Sequence, residues 1–261
     1  MKKFFQDKYL AIAFGILSLI AGIFGLQNSP LINTNLNINV NTPPQQDIIS
    51  KSDKIFLAGQ KLDTGVALQN QGKYNEAIER YNEAIKLNPD YAPAYNNRGV
   101  AYKDLKRYNE AIADFNKSIE LKNPQLHLVY LNRGIVYFDL QNYEAAISDY
   151  NRALEVNPNY TEAYNNRGNV YLVFQNYEQA ILDFNKAIEL NPNFYLPYNN
   201  RGTAYSYLKQ YEAAISDYNK SIELNPNYSK AYNNRGLSYQ ALGETEKANA
   251  DFAKAKQLGY K

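Results

Sequence analysis

Apolar and small residues recur at regular intervals between residues 55 and 261. In five of the six units a glycine has a tyrosine four residues before it and another three residues after it. These three positions share one side of a helix with 3.6 residues per turn, so they predict a first helix that another helix approaches closely at the glycine. The glycines are Gly65, Gly99, Gly134, Gly168, Gly202 and Gly236.

A second stripe follows each glycine. In the first unit it consists of Ala77, Tyr81 and Ala84, and every later unit has Ala, an aromatic residue and Ala or Ser at the same spacing. Spacings of four and three residues predict a second amphipathic helix. The aromatic residues of this stripe are Tyr81, Phe115, Tyr150, Phe184, Tyr218 and Phe252.

An Asn-Pro pair closes most units and disfavours further helix at the residue before the proline. Each unit is therefore predicted as helix, turn, helix, turn. A regular succession of such units is typical of a solenoid, in which the apolar face of each unit is covered by its neighbours.

These positions resemble the tetratricopeptide repeat family, whose pattern has aromatic, small and aromatic residues on the first helix and then Ala, aromatic, Ala and Pro. The resemblance covers residues 55–261 and implies an all-α fold, a right-handed α-solenoid of six helix-turn-helix repeats. It also implies a protein that binds other proteins and has no catalytic role. The expected repeats are 58–91, 92–126, 127–160, 161–194, 195–228 and 229–261.

The N-terminal part has a different character. Residues 9–26 carry no charge and are long enough to cross a bilayer, and Lys2, Lys3 and Lys8 precede them. We therefore expect a transmembrane helix at 9–26, with residues 1–8 in the cytoplasm and the repeats on the far side of the membrane. A cleaved signal peptide is the alternative, and it would release a secreted or periplasmic protein. The Asn-rich residues 27–54 are expected to form a disordered linker.

Charge and composition narrow the functional classes. The net charge is +2, and residues 1–8 account for it with three Lys and one Asp. The repeat region is therefore neutral and lacks the excess of basic residues that binds the phosphates of nucleic acids. The chain has no Cys and a single His, His127, which excludes thiolate metal sites and a catalytic Ser-His-Asp triad. We expect no enzyme, no cofactor, no metal site and no small-molecule substrate, and we assign most of the tyrosines to the core.

One asparagine recurs two residues before the glycine, on the face opposite the tyrosines. We name this set the Asn ladder: Asn97, Asn132, Asn166, Asn200 and Asn234. An amide offers both donors and an acceptor, so the ladder is a candidate site for the backbone of an extended peptide. It resembles the asparagine ladder of the O-linked N-acetylglucosamine transferases, whose catalytic domain has no counterpart here. The alternative is that these amides make structural contacts between repeats.

Two other polar sets have structural interpretations. In repeats two to six an arginine directly precedes the glycine and an aspartate lies on the second helix, as with Arg98 and Asp114. Repeat one lacks both residues, so we predict ion pairs between the two helices of a repeat. A further asparagine on the second helix is lost in the last repeat, which indicates contact with a following repeat. We name this set the second-helix asparagines: Asn82, Asn116, Asn151, Asn185 and Asn219.

A second resemblance concerns the carboxylate clamp by which some tetratricopeptide domains bind the C-terminus of a chaperone. Asn169, Asn200 and Lys230 match that clamp, whereas its two further cations fall at the neutral Asn165 and Asn234. The remaining positions expected in the groove are mixed in polarity. They are Val66, Val100, Ile135, Phe138, Leu172, Val173, Thr203, Tyr207 and Leu237.

The sequence thus predicts a membrane-tethered, non-enzymatic scaffold that binds a partner polypeptide in its concave groove and assists the assembly or recruitment of a complex. Two alternatives remain open. One is an exported soluble repeat protein after signal cleavage, and the other is a regulatory subunit of a separately encoded enzyme.

Overall fold

Twelve α-helices, joined by short turns, make up residues 50–260, the part of the chain that the computed structural model describes. The helices are α1 (Lys51–Asn70), α2 (Tyr74–Leu87), α3 (Ala92–Asp104), α4 (Tyr108–Glu120), α5 (Leu126–Asp139), α6 (Tyr143–Val156), α7 (Thr161–Val173), α8 (Tyr177–Leu190), α9 (Tyr195–Tyr207), α10 (Tyr211–Leu224), α11 (Ser229–Ala241) and α12 (Thr245–Gln257). Odd and even helices pair as the two helices of one repeat, so the described residues form an all-α solenoid without strands.

The segment predicted to cross a membrane, 9–26, lies outside the described residues, as do residues 1–8 and nearly all of the linker. Within residues 50–260, every helix is too short or too polar to span a bilayer.

The first helix begins earlier than the sequence pattern predicted. Helix α1 starts at Lys51, within the segment 27–54 that we assigned to the linker. The Ser50 hydroxyl accepts a hydrogen bond from the Asp53 backbone N–H at 3.1 Å and so caps the helix. The repeat is recognised in the sequence by residues that are buried in the structure. The first turn of α1 is exposed, so the repeat pattern could not predict that the helix begins there.

The turn between the two helices of a repeat needs one residue with a left-handed backbone. Gly72 and Gly243 supply it in the first and last repeats, with φ of 75° and 78°. The four middle repeats use Lys106, Gln141, Gln175 and Lys209 instead, with φ between 57° and 60°. This conformation ends the first helix and returns the chain antiparallel to it.

Each repeat is held together where the aromatic ring of its second helix packs on the glycine of its first. At Gly168, a Cβ atom would lie 2.6 Å from Cε1 of Phe184, whose side chain is fully buried. All six repeat glycines have this contact, with the corresponding distance between 2.4 and 2.8 Å. The glycine is therefore required because the ring occupies the volume that any other side chain would need.

Neighbouring repeats are closer on one side than on the other. The first helices of successive repeats, such as α5 and α7, contact each other, whereas successive second helices do not. The stack must therefore bend toward the first helices, which line its inner surface.

The predicted ion pairs are present in repeats two to six. In repeat four, Arg167 donates from Nε and Nη2 to the two oxygens of Asp183, at 2.8 and 2.7 Å. Its Nη1 donates to Oδ1 of Asn151 in the preceding repeat, at 2.6 Å. The guanidinium thus joins two helices of its own repeat to the second helix of the previous one. This confirms the interpretation of the second-helix asparagines as contacts between repeats.

The tyrosines on either side of the glycine are half-buried, although the sequence pattern assigned most of the tyrosines to the core. The ring of Tyr164 lies 5.5 Å from Cζ of Arg167, within cation–π range. Hydrogen bonds to Asp183 raise the pKa of Arg167 despite its partial burial. Burial raises the pKa of Asp183 in turn, against the effect of Arg167. The cost of removing both charges from water offsets the attraction between Arg167 and Asp183. The pair therefore fixes the position of the two helices more than it raises the free energy of unfolding.

We predict that Gly168→Ala lowers the free energy of unfolding by about 1–3 kcal/mol, because the new methyl group overlaps the Phe184 ring. Gly59→Ala is the matched control, since Gly59 lies in helix α1 with nothing within 4 Å of its Cβ position. That change should raise stability by about 0.5–1 kcal/mol. Denaturant titrations followed by circular dichroism measure both, and equal effects of the two variants would contradict the packing argument.

We also predict that Arg167→Met is more damaging than loss of the whole pair. The single change leaves Asp183, which is 3% exposed, without its cation, at a cost of about 3–5 kcal/mol. The double variant Arg167→Met/Asp183→Leu should recover most of that loss, because no buried charge remains. The first repeat has Thr64 and Arg80 at these positions, so a repeat folds without the pair. Chemical denaturation measures both variants, and a double variant less stable than Arg167→Met would refute this account.

Candidate peptide-binding groove

A groove runs along the inner surface of repeats three to six, on helices α5, α7, α9 and α11. Its middle part is a cavity of about 510 Å³. Smaller cavities of about 200 and 150 Å³ adjoin it and share lining residues with it, Asn169 on one side and Thr203 on the other. The three cavities therefore form one continuous surface.

Large apolar side chains are exposed in this groove. Val173, Tyr207 and Leu237 have 44%, 62% and 51% of their surface exposed. Each lies on a first helix at a position that the sequence pattern placed in the groove, as do Ile135, Phe138, Leu172 and Thr203. Exposed apolar groups beside polar ones are typical of a surface that binds a partner.

The Asn ladder is half-buried and hydrogen-bonded between repeats. Asn234 Nδ2 donates to Asn199 Oδ1 at 3.2 Å, and Asn200 Nδ2 donates to Asn165 Oδ1 at 3.0 Å. In repeat three, Asn132 Nδ2 donates to Asn96 Oδ1 at 3.4 Å. The structural contacts that were the alternative interpretation of the ladder are therefore present.

The acceptors in these bonds belong to a second set, which we name the flanking asparagines. Each stands directly before a ladder residue: Asn96, Asn165, Asn199 and Asn233. Asn165 and Asn199 in turn donate to Asn166 and Asn200 of their own repeats, at 3.2 and 3.0 Å. The two sets form a relay of amides across repeats four to six. The sequence analysis missed this relay, although the repeated Asn-Asn pair was the signal for it.

The relay stops where a flanking asparagine is missing. In repeat three the equivalent residue is Leu131, whose side chain cannot accept a hydrogen bond from Asn166. Asn166 and Asn169 line the 200 Å³ cavity at this point, together with Ile135, Phe138 and Tyr150. The sequence pattern assigned Tyr150 to the core, and the structure places its side chain at the base of this cavity.

The predicted site residues divide into three groups, of which Asn166, in the 200 Å³ cavity, is the first. Asn169, Asn200, Asn234 and Lys230 line the largest cavity together. Asn97 and Asn132 lie outside the three cavities of the groove.

The clamp residues Asn169, Asn200 and Lys230 thus share one cavity, but the position of a further cation is occupied by Asn165. That side chain is 4% exposed, and its Oδ1 accepts from Asn200. Of the lining residues within 50–260, Lys230 alone is charged. Such a surface suits a neutral extended segment better than a C-terminal carboxylate. Among residues 50–260, no three His, Asp or Glu side chains are grouped so as to hold a metal ion.

Comparison with known proteins agrees with this architecture. Models of the tetratricopeptide repeat match residues 92–122, 161–194, 195–228 and 217–248. A further model, described as TPR repeat, matches residues 65–106 and 134–172. No curated protein is significantly similar to the chain in sequence.

Solved structures of similar architecture include three examples. The APC/C hetero-tetramer Cut9–Hcn1 matches with a TM-score of 0.71 and 21% identity over 80% of this chain, which spans 42% of that one. PilF of Pseudomonas aeruginosa matches with a TM-score of 0.70 and 17% identity, over 79% of this chain and 93% of the other. YrrB, described as having an unusual peptide-binding site, matches with a TM-score of 0.53 and 25% identity, over 67% and 89% of the two chains.

The first two likenesses show a shared fold alone, since their sequence identity is low. The repeat matches, the glycine-ring packing and the paired helices lead to one conclusion: the chain belongs to the tetratricopeptide repeat family.

Proposed function

We propose that the protein is a non-enzymatic scaffold that is tethered to a membrane and binds an extended segment of a partner polypeptide in its groove. In this role it assists the assembly or recruitment of a complex. The observation that carries the proposal is the continuous groove of repeats three to six, in which amides lie beside exposed apolar side chains.

The chemistry of the groove favours a polypeptide as the ligand. Side-chain amides pair with backbone N–H and C=O groups, and apolar patches accept alternate side chains of an extended segment. Asn169, Asn200 and Asn234 keep hydrogen-bonding capacity beyond the bonds of the relay, since each amide has two donors and an acceptor with two lone pairs. The peptide-binding site described for YrrB supports the same use of this fold.

The tether rests on the sequence of the N-terminal part. Residues 9–26 are uncharged, the preceding lysines favour a cytoplasmic N-terminus, and residues 27–49 supply a polar spacer. The repeats would then lie on the far side of the membrane. Release by signal cleavage is the alternative, as is a role as regulatory subunit of a separate enzyme.

We expect the triple variant Val173→Ser/Tyr207→Ser/Leu237→Ser to lose the partner, because it removes the exposed apolar surface of the groove. The full-length chain, purified in mild detergent, serves as bait, and captured proteins are quantified by mass spectrometry. A partner held by these residues should fall by tenfold or more, since each buried apolar side chain contributes about 1.5–3 kcal/mol.

The matched control is Leu140→Ser/Val156→Ser/Leu182→Ser, which changes three apolar residues of similar exposure outside the groove. It should keep the partner. Circular dichroism establishes that both variants are folded. If both retain the same proteins, or if the control loses them while the groove variant does not, binding lies on another face.

We further expect the full chain to stay with the membrane fraction after washing at alkaline pH, because an uncharged helix of this length inserts stably. Intact-mass measurement should find an unprocessed N-terminus, and a chain without residues 1–26 should be soluble. A mature form that has lost its N-terminal segment would establish the exported alternative instead.

A further inference from the structure

The ring that packs on each repeat glycine alternates between tyrosine and phenylalanine. Repeats one, three and five have Tyr81, Tyr150 and Tyr218, whereas the other three have phenylalanine. All six rings make the same contact with a glycine, so packing does not need the hydroxyl group. The three tyrosine side chains are at most 1% exposed, so each hydroxyl needs either a partner in the protein or an opening to a cavity.

Two of the three hydroxyls have partners inside their own repeat. Tyr81 Oη donates to Gln69 Oε1 at 2.8 Å, and Tyr218 Oη donates to Thr203 Oγ1 at 3.5 Å. The residues of repeat three that correspond to Gln69 and Thr203 are Phe138 and Ile135, neither of which can accept. Within residues 50–260, the Tyr150 hydroxyl therefore has neither of these partners.

The amide relay leaves a second donor at the same place. Asn200 and Asn234 each donate to a flanking asparagine of the repeat before, but Asn166 faces Leu131. Nδ2 of Asn166 thus lacks the acceptor that its equivalents have among the described residues. Tyr150 and Asn166 both line the 200 Å³ cavity.

The walls of this cavity define what it accepts. Ile135 and Phe138 make them apolar, and Asn169 adds an amide with its own carbonyl oxygen. A volume of 200 Å³ exceeds the roughly 30 Å³ of one water several-fold and has room for one side chain. None of the described residues that line the cavity is a cation, and the negative charge of Asp139 adds to the effect of burial in raising the pKa of Tyr150. Both features disfavour a carboxylate.

We propose that this cavity is a subsite of the groove for the carboxamide of a glutamine or asparagine in the bound polypeptide. The carbonyl oxygen of the carboxamide accepts from the Tyr150 hydroxyl and from Asn166, and its NH₂ group donates to Asn169. The aliphatic stem lies against Ile135 and Phe138. The proposal rests on the groove being a peptide-binding surface, and it adds the identity of one side chain that the groove selects.

The test is selection from a phage library of random linear peptides on the immobilised full-length chain in detergent. Wild type is compared with Tyr150→Phe, which introduces the residue that repeats two, four and six already carry. Tyr81→Phe is the control, because that hydroxyl has Gln69 as a partner and its side chain lies outside the three cavities of the groove. We expect wild type and Tyr81→Phe to select peptides with Gln or Asn enriched at one position, and Tyr150→Phe to select peptides without that preference.

A third variant tests the reason for the selectivity. Ile135→Thr supplies the acceptor that Thr203 provides in repeat five. The Tyr150 hydroxyl should then donate to this threonine, and the preference for Gln or Asn in the selected peptides should disappear.

A change in the peptide tests the same contact. For a selected peptide, Gln→Leu should weaken binding to wild type by about tenfold and binding to Tyr150→Phe by about twofold or less. Fluorescence anisotropy measures both.

The outcomes separate the subsite from groove binding itself. Peptides that bind wild type without a Gln or Asn preference, or that keep it with Tyr150→Phe, would overturn the subsite and leave groove binding intact. Enrichment of Glu or Asp would overturn the carboxamide assignment. If no peptide is enriched whose binding depends on Val173, Tyr207 and Leu237, the proposed function fails and the subsite fails with it.

Discussion

The contact between a glycine and an aromatic ring is the constraint on which the rest of the structure depends. It sets the separation of the two helices in every repeat, since the ring of the second helix occupies the space beside the first. Because six repeats share the contact, they have the same shape and stack with the same offset. The bend toward the first helices, and with it the groove, follows from that repetition.

Polar residues perform two different tasks around this apolar frame. The arginines bind an aspartate of their own repeat and an asparagine of the preceding one, so that they fix the register between repeats. The ladder and flanking asparagines do the same on the inner surface, where the ladder residues are half-buried. The inner surface therefore joins neighbouring repeats, and Asn200 and Asn234 also line the largest cavity of the groove. A variant without the five ladder residues would change the contacts between repeats together with the proposed peptide site, whereas changes of the exposed apolar residues affect the groove alone.

The repeats differ most where the regular pattern is broken. Leu131 interrupts the amide relay, because repeats two, four, five and six have an asparagine at its position. Ile135 and Phe138 stand where repeat five has Thr203 and Ser206, so the Tyr150 side chain meets apolar neighbours at the cavity. These departures from the regular pattern are the basis of the proposed carboxamide subsite.

The repeat, its two helices, the need for glycine, the ion pairs and most of the groove residues could be predicted from the amino-acid sequence. These features depend on the spacing of residues along one helix or on a fixed number of residues within one repeat. They can be predicted because the repeat glycines recur at nearly constant intervals. The sequence pattern missed the start of helix α1, where no buried residue marks the boundary, and it left the role of the Asn ladder open. The packing of neighbouring repeats was needed to show that the ladder amides bond to the repeat before, and that the Tyr150 side chain lines a cavity together with Asn166 and Asn169 of the following repeat. Both depend on the offset between stacked repeats, which brings together side chains from neighbouring units and which no local pattern encodes.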